Sequence, residues 1–274
     1  MELRGKHITV VGLGQTGQAL AQFLHRREAH VVVTDSAPES QLGRAPENLR
    51  ALGVHMELGG HAAGVFEKAD LIVLSPGVPH IIEPVVRARN AGIPVIGEIE
   101  LAGRFISAPI VAITGTNGKS TVTRLIGRML AESGRRVFVG GNLGTPLISC
   151  ADAESSVDVA VAEISSFQLD TAETFRPRVA VLLNITADHL DRYSSLHAYG
   201  LSKARLFENQ NESDTAVINA ADPLIMELSE NIRAQKCLFN AGAYTGCCAW
   251  MDEKGIRINP AGTGPVTISY NDVP

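Results

Sequence analysis

The segment Ala112-Ile-Thr-Gly-Thr-Asn-Gly-Lys-Ser-Thr121 constrains this chain most, because a phosphate-type loop sits between a strand pattern and a helix pattern. Apolar Pro109-Ile-Val-Ala-Ile113 reads as a short buried strand, and Thr121 to Ser133 has helical spacing. Gly115 and Gly118 let the N–H groups of Thr116 and Asn117 close around phosphate oxygens. The helix N-terminus favours anions, Lys119 reaches terminal phosphates, and Ser120 can hold Mg²⁺. The loop is shorter than G-x-x-x-x-G-K-[ST], since Ile113 stands where the first glycine would be. Residues Gly115, Thr116, Asn117, Gly118, Lys119, Ser120 and Thr121 are therefore candidate ATP contacts.

The flanking sequence repeats the same alternation. His7–Val11, His30–Thr34, Asp70–Ser75 and Pro94–Ile96 read as strands, with helices over Thr16–Arg27 and Ile81–Ala91. Apolar strands separated by helices predict a parallel sheet covered on both faces. Gly97–Phe105 reads as a helical connector. A second series follows, with strands at Ile110–Thr114, Arg136–Val139, Asp158–Glu163, Val179–Asn184 and Thr215–Asn219. Its helices are expected near Ser120–Ser133, His197–Asn209 and Pro223–Asn231. From about Lys236 the pattern turns to short β segments at Cys237–Asn240, Cys248–Met251, Gly255–Asn259 and Val266–Tyr270. The expected architecture is α/β: a Rossmann-like unit over 1–96, a connector over 97–108 and a P-loop-type ATPase unit over 109–274.

Bulk properties exclude several classes. Net charge is −5, with lysines and arginines scattered, which argues against nucleic acid as partner. No apolar run approaches the roughly 20 residues of a membrane helix, and the N-terminus lacks the apolar stretch of a secretory signal. Cys150, Cys237, Cys247 and Cys248 show no C-x-x-C spacing and read as reduced thiols. A cytoplasmic, non-membrane protein, working as a monomer, is expected.

Gly12-Leu-Gly-Gln-Thr-Gly17 follows the first strand and matches G-x-G-x-x-G, with Asp35 about 20 residues on at the end of the next strand. Alone, this half reads as a nicotinamide-dependent oxidoreductase. Such an enzyme has no use for the second, lysine-bearing loop. Two loops suggest one diphosphate-linked substrate and one triphosphate, as in a nucleotide-substrate ligase or kinase.

The order of motifs resembles the Mur ligases, and within them the D-glutamate-adding branch. The stretches are Val11–Gly17, Leu74-Ser-Pro-Gly-Val78, Gly97-Glu-Ile-Glu-Leu101, Ala112–Thr121, Gly140-Gly-Asn-Leu-Gly-Thr-Pro146, Ala162-Glu-Ile-Ser-Ser-Phe-Gln-Leu169, Asn184-Ile-Thr-Ala-Asp-His-Leu-Asp-Arg-Tyr193 and Ser202-Lys-Ala-Arg205. The resemblance implies transfer of the ATP γ-phosphoryl to the carboxylate of UDP-N-acetylmuramoyl-L-alanine, then attack by the amine of D-glutamate on the acyl phosphate. It implies two Mg²⁺ sites, with Ser120, Glu163, His189 and Lys203 as ligands. Lys203 would be carbamylated, which turns a cation into a carboxylate-like bridge and needs a depressed pKa. Lys119, Glu163, His189 and Lys203 become the implied catalytic set. Gly14, Gln15, Thr16, Gly17, Asp35, Ser36, Ser75 and Gly77 match positions at the uridine diphosphate. Asn142 and Ser165 match positions toward the muramoyl-alanine end, and His189 matches a substrate contact and metal ligand near the acyl phosphate.

Two departures stand out. The branch commonly places a hydroxyl residue and then Arg after Asp35, and this chain has Ser36-Ala37. The family's Gly-x-His-Asn-x-x-Asn helix and amino-acid-binding C-terminal domain do not follow Tyr270. The sequence therefore leads us to expect that these 274 residues bind the UDP-sugar peptide and show little ligase activity by themselves.

Overall fold

A computed structural model describes residues 1–152, 157–240, 247–253, 255–259 and 266–269. Its strands are β1 (His7–Val11), β2 (His30–Asp35), β3 (His55–Leu58), β4 (Leu71–Leu74), β5 (Val95–Gly97), β6 (Ile110–Thr114), β7 (Val137–Gly141), β8 (Val159–Glu163), β9 (Val179–Leu182), β10 (Thr215–Asn219), β11 (Gln235–Phe239), β12 (Cys247–Asp252), β13 (Gly255–Ile258) and β14 (Val266–Ser269). Its α-helices are α1 (Gln15–Arg26), α2 (Ala45–Ala51), α3 (Ala63–Glu67), α4 (Glu83–Asn90), α5 (Glu98–Phe105), α6 (Lys119–Glu132), α7 (Ser166–Leu169), α8 (Leu196–Ala204) and α9 (Pro223–Leu228).

The strands form two sheets, ordered β3-β2-β1-β4-β5 and β14-β13-β12-β11-β10-β9-β6-β8-β7. All pairings in the first sheet are parallel. Strands β4 and β8 are buried along their whole length, as expected where helices cover both faces. In the first sheet the order of connection switches sides between β1 and β4, which stay parallel. The loops after those strands therefore part and leave a crevice at their carboxyl ends. In the second sheet β6 lies between β8 and β9, so the loop after β6 occupies the equivalent place.

Most expected elements recur within a residue or two. Three differ in character. Strand β11 pairs in parallel with β10 and so continues the main sheet. Among the described residues antiparallel pairing is confined to β12 with β13 and β13 with β14, while β12 pairs in parallel with β11. The helix expected over His197–Asn209 ends at Ala204 and tightens into a 3₁₀ turn at Arg205–Phe207. The final strand is described to Ser269, and Tyr270 lies outside the described residues.

Helix α5 joins the two sheets as a packed strut. Ile99, Leu101 and Ala102 belong to one continuous core that runs from Leu3 to Ala234 and includes Leu147 and Ile148. The Glu100 carboxylate accepts the backbone N–H groups of Glu173, Thr174 and Phe175 at 2.8, 2.8 and 2.9 Å, and Arg104 Nε donates to it at 2.8 Å. Arg27, on the other side, lies over the Phe23 ring at 3.6 Å and donates to Asp152 at 3.1 Å. Among the described residues no helix is long and apolar enough to cross a membrane.

Candidate functional site

The first glycine loop is built by close backbone approach. Gly12 has φ +95°, and a Cβ there would lie 2.8 Å from Val78 Cγ2. A Cβ on Gly17 would lie 1.8 Å from the carbonyl oxygen of Gly12, so only glycine lets α1 begin this close to β1. Asp35 braces the loop: Oδ2 accepts Leu13 N–H at 2.7 Å and Oδ1 accepts Ala37 N–H at 2.8 Å. The Ser75 hydroxyl donates to Gly12 O at 3.1 Å. Gly14, Gln15, Thr16, Asp35, Ser36, Ser75 and Gly77 line a cleft of about 420 Å³, and Asn142 closes it from the second sheet. Gly17 packs beneath this cleft, among its supporting backbone.

The second loop leaves β6 through Gly115 and enters α6 through Gly118, which has φ +83°. Lys119 Nζ folds over it, donating to Gly115 O at 3.0 Å and Thr116 O at 2.8 Å. Thr116 is buried, Asn117 and Gly118 are exposed, and Thr121 faces solvent on α6. The segment after β9 clamps the loop. Asn184 Oδ1 accepts Asn117 N–H at 2.8 Å, Asn184 Nδ2 donates to Asn117 O at 3.0 Å, and Asn184 O accepts Thr116 N–H at 2.9 Å. Thr186 N–H adds a bond to Thr116 Oγ1 at 3.0 Å. The sequence motif contains Asn184, but its role as a loop brace comes from a contact across 67 residues.

Glu163 links the second loop to Asn142 at the edge of the cleft. It is 3% exposed at the end of β8. Ser120 Oγ donates to its Oε2 at 2.6 Å, and Asn142 Nδ2 donates to its Oε1 at 2.9 Å. Asn142 N–H also donates to Glu163 O at 2.8 Å. A hydroxyl and a carboxylate at the mouth of a phosphate loop are hard oxygen donors and fit Mg²⁺.

Lys203 is 1% exposed and donates from Nζ to Gly115 O at 2.9 Å, the same carbonyl that Lys119 uses. Its ammonium lies 4.3 Å from the centre of the Tyr199 ring. Burial pushes Lys203 down to about 7, the Lys119 cation adds to this, and Asp188 and Asp170 oppose it. A neutral amine is thus accessible near pH 7, which carbamylation needs, whereas an unmodified lysine gives a metal no carboxylate. Among the described residues no three His, Cys, Asp or Glu side chains group to hold a metal. The hydroxyl–carboxylate pair therefore fits a cation as it stands, and a second site would need the modified lysine.

His189 has φ +51°, a conformation sparse for residues other than glycine. Its ring meets Phe167 at 4.9 Å and Tyr199 at 6.1 Å, which puts His189 and Lys203 on one aromatic cluster. The Arg192 guanidinium lies over the Phe167 ring, 3.9 Å from its centre. Ser165 begins α7 in a capping box: Oγ accepts Gln168 N–H at 3.3 Å, and Gln168 Oε1 accepts Ser165 N–H at 2.9 Å.

Residues 113–265 match the Mur ligase middle domain, and residues 6–97 match the MurD-like N-terminal domain of Mur ligases. The UDP-N-acetylmuramoylalanine–D-glutamate ligase of Desulfosudis oleivorans is 53% identical over 98% of this chain and 59% of its own length. The ligase of the same name from Desulfatibacillum aliphaticivorans is 52% identical over 87% of this chain and 53% of its own. The chain thus spans little more than half the length of the curated relatives it matches. Among solved structures, the UDP-N-acetylmuramate:L-alanyl-gamma-D-glutamyl-meso-diaminopimelate ligase from Neisseria meningitides aligns with TM-score 0.62 at 20% identity, over 93% of this chain and 84% of that one. A UDP-N-acetylmuramate–alanine ligase from Thermotoga maritima aligns with TM-score 0.53 at 22% identity, over 93% and 57%. These likenesses bear on the fold, and the domain matches decide the family: residues 6–97 and 113–265, which carry the two sheets and their glycine loops, both match it, and this chain belongs to the Mur ligase family.

Proposed function

We propose that the chain serves the ATP-dependent joining of D-glutamate to UDP-N-acetylmuramoyl-L-alanine in the cytoplasm, acting as a monomer on small molecules. One observation carries this reading: the Glu163 carboxylate touches Ser120 of the phosphate loop and Asn142 of the cleft, so a single side chain borders both ligand sites. We assign the uridine diphosphate to the cleft of Gly14, Gln15, Thr16, Asp35, Ser36, Ser75 and Gly77. The ATP phosphates are assigned to the loop from Gly115 to Thr121. The two sheets support a substrate unit over 1–96, a connector over 97–108 and an ATP unit over 109–274.

In the first step a substrate carboxylate oxygen bonds to the γ-phosphorus as the bond to the ADP oxygen breaks. In the second the amine of D-glutamate bonds to the carbonyl carbon, inorganic phosphate leaves, and the amine loses a proton. Negative charge gathers in both steps, so fixed cations and N–H groups lower the barrier if they stand in place beforehand. Lys119 reaches phosphates by leaving its two loop carbonyls. Asn184 takes up the N–H groups of Thr116 and Asn117, so the donors left to face phosphate are the Gly118 N–H and the first N–H groups of α6. Ser120 and Glu163 would hold a Mg²⁺, which would neutralise phosphate charge when bound. His189 and a carbamylated Lys203 would hold the second. The reading as a nicotinamide-dependent oxidoreductase leaves the entire second loop without a role, and the relatives reported above are named as ligases.

The test is equilibrium binding of a fluorescent ATP analogue with Mg²⁺ to the wild-type chain and to Lys119→Ala and Glu163→Gln. Losing the Lys119 contact to phosphate, or the Glu163 oxygen that would hold the accompanying Mg²⁺, should weaken binding at least about tenfold. Unchanged affinity in both variants would refute the assignment.

A further inference from the structure

The connector helix carries a buried carboxyl that the proposed chemistry does not use. Gly97 opens α5 so close to α7 that a Cβ on it would lie 2.1 Å from Thr171 Oγ1. The next residue, Glu98, is 1% exposed. Its Oε1 accepts Ile148 N–H at 2.7 Å, whereas its Oε2 is buried with no hydrogen-bond partner. Gln168 on α7 is 2% exposed and shows the complementary deficit: its Oε1 accepts Ser165 N–H at 2.9 Å and the Ser165 hydroxyl at 3.0 Å, and its Nε2 is buried without a partner. The two side chains are near enough for the amide to counter part of the rise that burial imposes on the carboxyl, which stands at about 7. One orphan acceptor and one orphan donor, each costly alone, are satisfied together if they face one another.

We propose that Glu98 is a positioning residue: it holds the Gln168 amide with its nitrogen toward α5 and its oxygen toward Ser165, and thereby fixes the Ser165 hydroxyl at the substrate-facing end of β8. The polarity runs in one direction from Ile148 to Ser165. Ile148 N–H demands an acceptor, so Glu98 must present oxygen there. Ser165 N–H demands an acceptor, so Gln168 must present oxygen there. Beside the smaller influence of the Leu147 N–H on the Glu98 carboxyl, the contact between the two side chains is left, and it needs a donor from Gln168 and an acceptor from Glu98. Ser165 lies two residues beyond Glu163, so its hydroxyl direction bears on the muramoyl-alanine end of the cleft. This last link rests on the proposed function, and the relay itself does not.

Isosteric exchange tests the relay without changing packing. In E98Q the new amide must keep oxygen on Ile148 N–H and turn its NH₂ toward Gln168, where two donors then collide. Q168E sets two carboxyls against each other. The double variant E98Q/Q168E reverses donor and acceptor and restores every bond. Two readouts apply to the whole chain. Nuclear magnetic resonance of the Ser165 amide should show a displaced signal in each single variant and the wild-type position in the double. Calorimetry with UDP-N-acetylmuramoyl-L-alanine should show affinity lower by about tenfold in each single variant and within about twofold of wild type in the double. Single variants that fail to fold beside a double that folds would also be the rescue. A double variant no better than the singles, or a Ser165 signal unmoved in E98Q, overturns the relay. Failure of the wild-type chain to bind the UDP-sugar would sink the substrate assignment, and the resonance measurement would still decide the relay.

Discussion

Replacing Glu100 with Ala should unfasten the strut between the two sheets. The side chain is fully shielded, and its carboxylate takes three backbone N–H groups of residues 173–175, the Thr174 hydroxyl and Arg104 Nε. Ala leaves those donors without their acceptor. The Phe175 bond is buried, whereas those of Glu173 and Thr174 are partly open to water, so the full desolvation cost falls on only some of the donors. Removing one partner from such a buried charged cluster costs about 3–5 kcal/mol. E100Q keeps the shape but must turn an NH₂ toward donors on one side, and a loss of about 2–3 kcal/mol follows. Urea unfolding at constant slope measures both. A loss under about 1 kcal/mol for Ala would refute the strut, since that is the size of an ordinary surface change. The pH dependence has a definite sign. Burial alone would raise the Glu100 carboxyl, but the Thr174 hydroxyl, the N–H groups of Glu173 and Thr174, and Arg104 together hold it below its ordinary value. A folded pKa below the unfolded one gives stability that is present above the unfolded value, about 4.3, and lost as pH falls through the folded one. Wild type should therefore lose more stability than E100Q on acidification below about pH 4.

Three further outcomes follow from named contacts. Asn184→Ala removes the two side-chain bonds to Asn117, so ATP affinity should fall about tenfold while the melting temperature changes little; equal affinity by fluorescence titration would contradict the brace. Lys203→Met removes a buried cation whose acceptor, Gly115 O, is also served by Lys119. The chain should gain about 1–3 kcal/mol in urea while losing any bicarbonate-derived carbamate signal, and a loss of stability would contradict this. Gly17→Ala forces a methyl into the Gly12 carbonyl, so UDP-sugar binding should disappear by calorimetry with a clear drop in melting temperature; near-normal binding would show that the loop can move aside.

The legible parts of the fold share one physical cause. Strands β1, β4, β6 and β8 are largely buried, so they read as mostly apolar runs, and the glycine loops mark the ends of β1 and β6. Strand β3 escapes this logic because His55-Met-Glu-Leu58 is an edge strand with half-exposed residues. Helices α2, α3 and α7 are seven, five and four residues long, too short to display a periodic face. In the candidate site, Lys119 and Ser120 stand out from the loop pattern and Glu163 only through the family resemblance; the fold brings Ser120 and Glu163 to 2.6 Å. Asn184, Glu98 and Glu100 all lie in the motif stretches, but they act through contacts 50 to 75 residues away, so no local pattern announces their bracing roles. Asp35 reads as a ribose ligand in sequence, while in the fold each of its oxygens holds a backbone N–H.

Calorimetric titration of the folded chain with UDP-N-acetylmuramoyl-L-alanine, with NAD in parallel, tests the central claim most directly. The account predicts saturable binding of the UDP-sugar, weakened by Gly17→Ala, and no binding of NAD. Binding of NAD alone would contradict it and assign the first glycine loop to a dinucleotide.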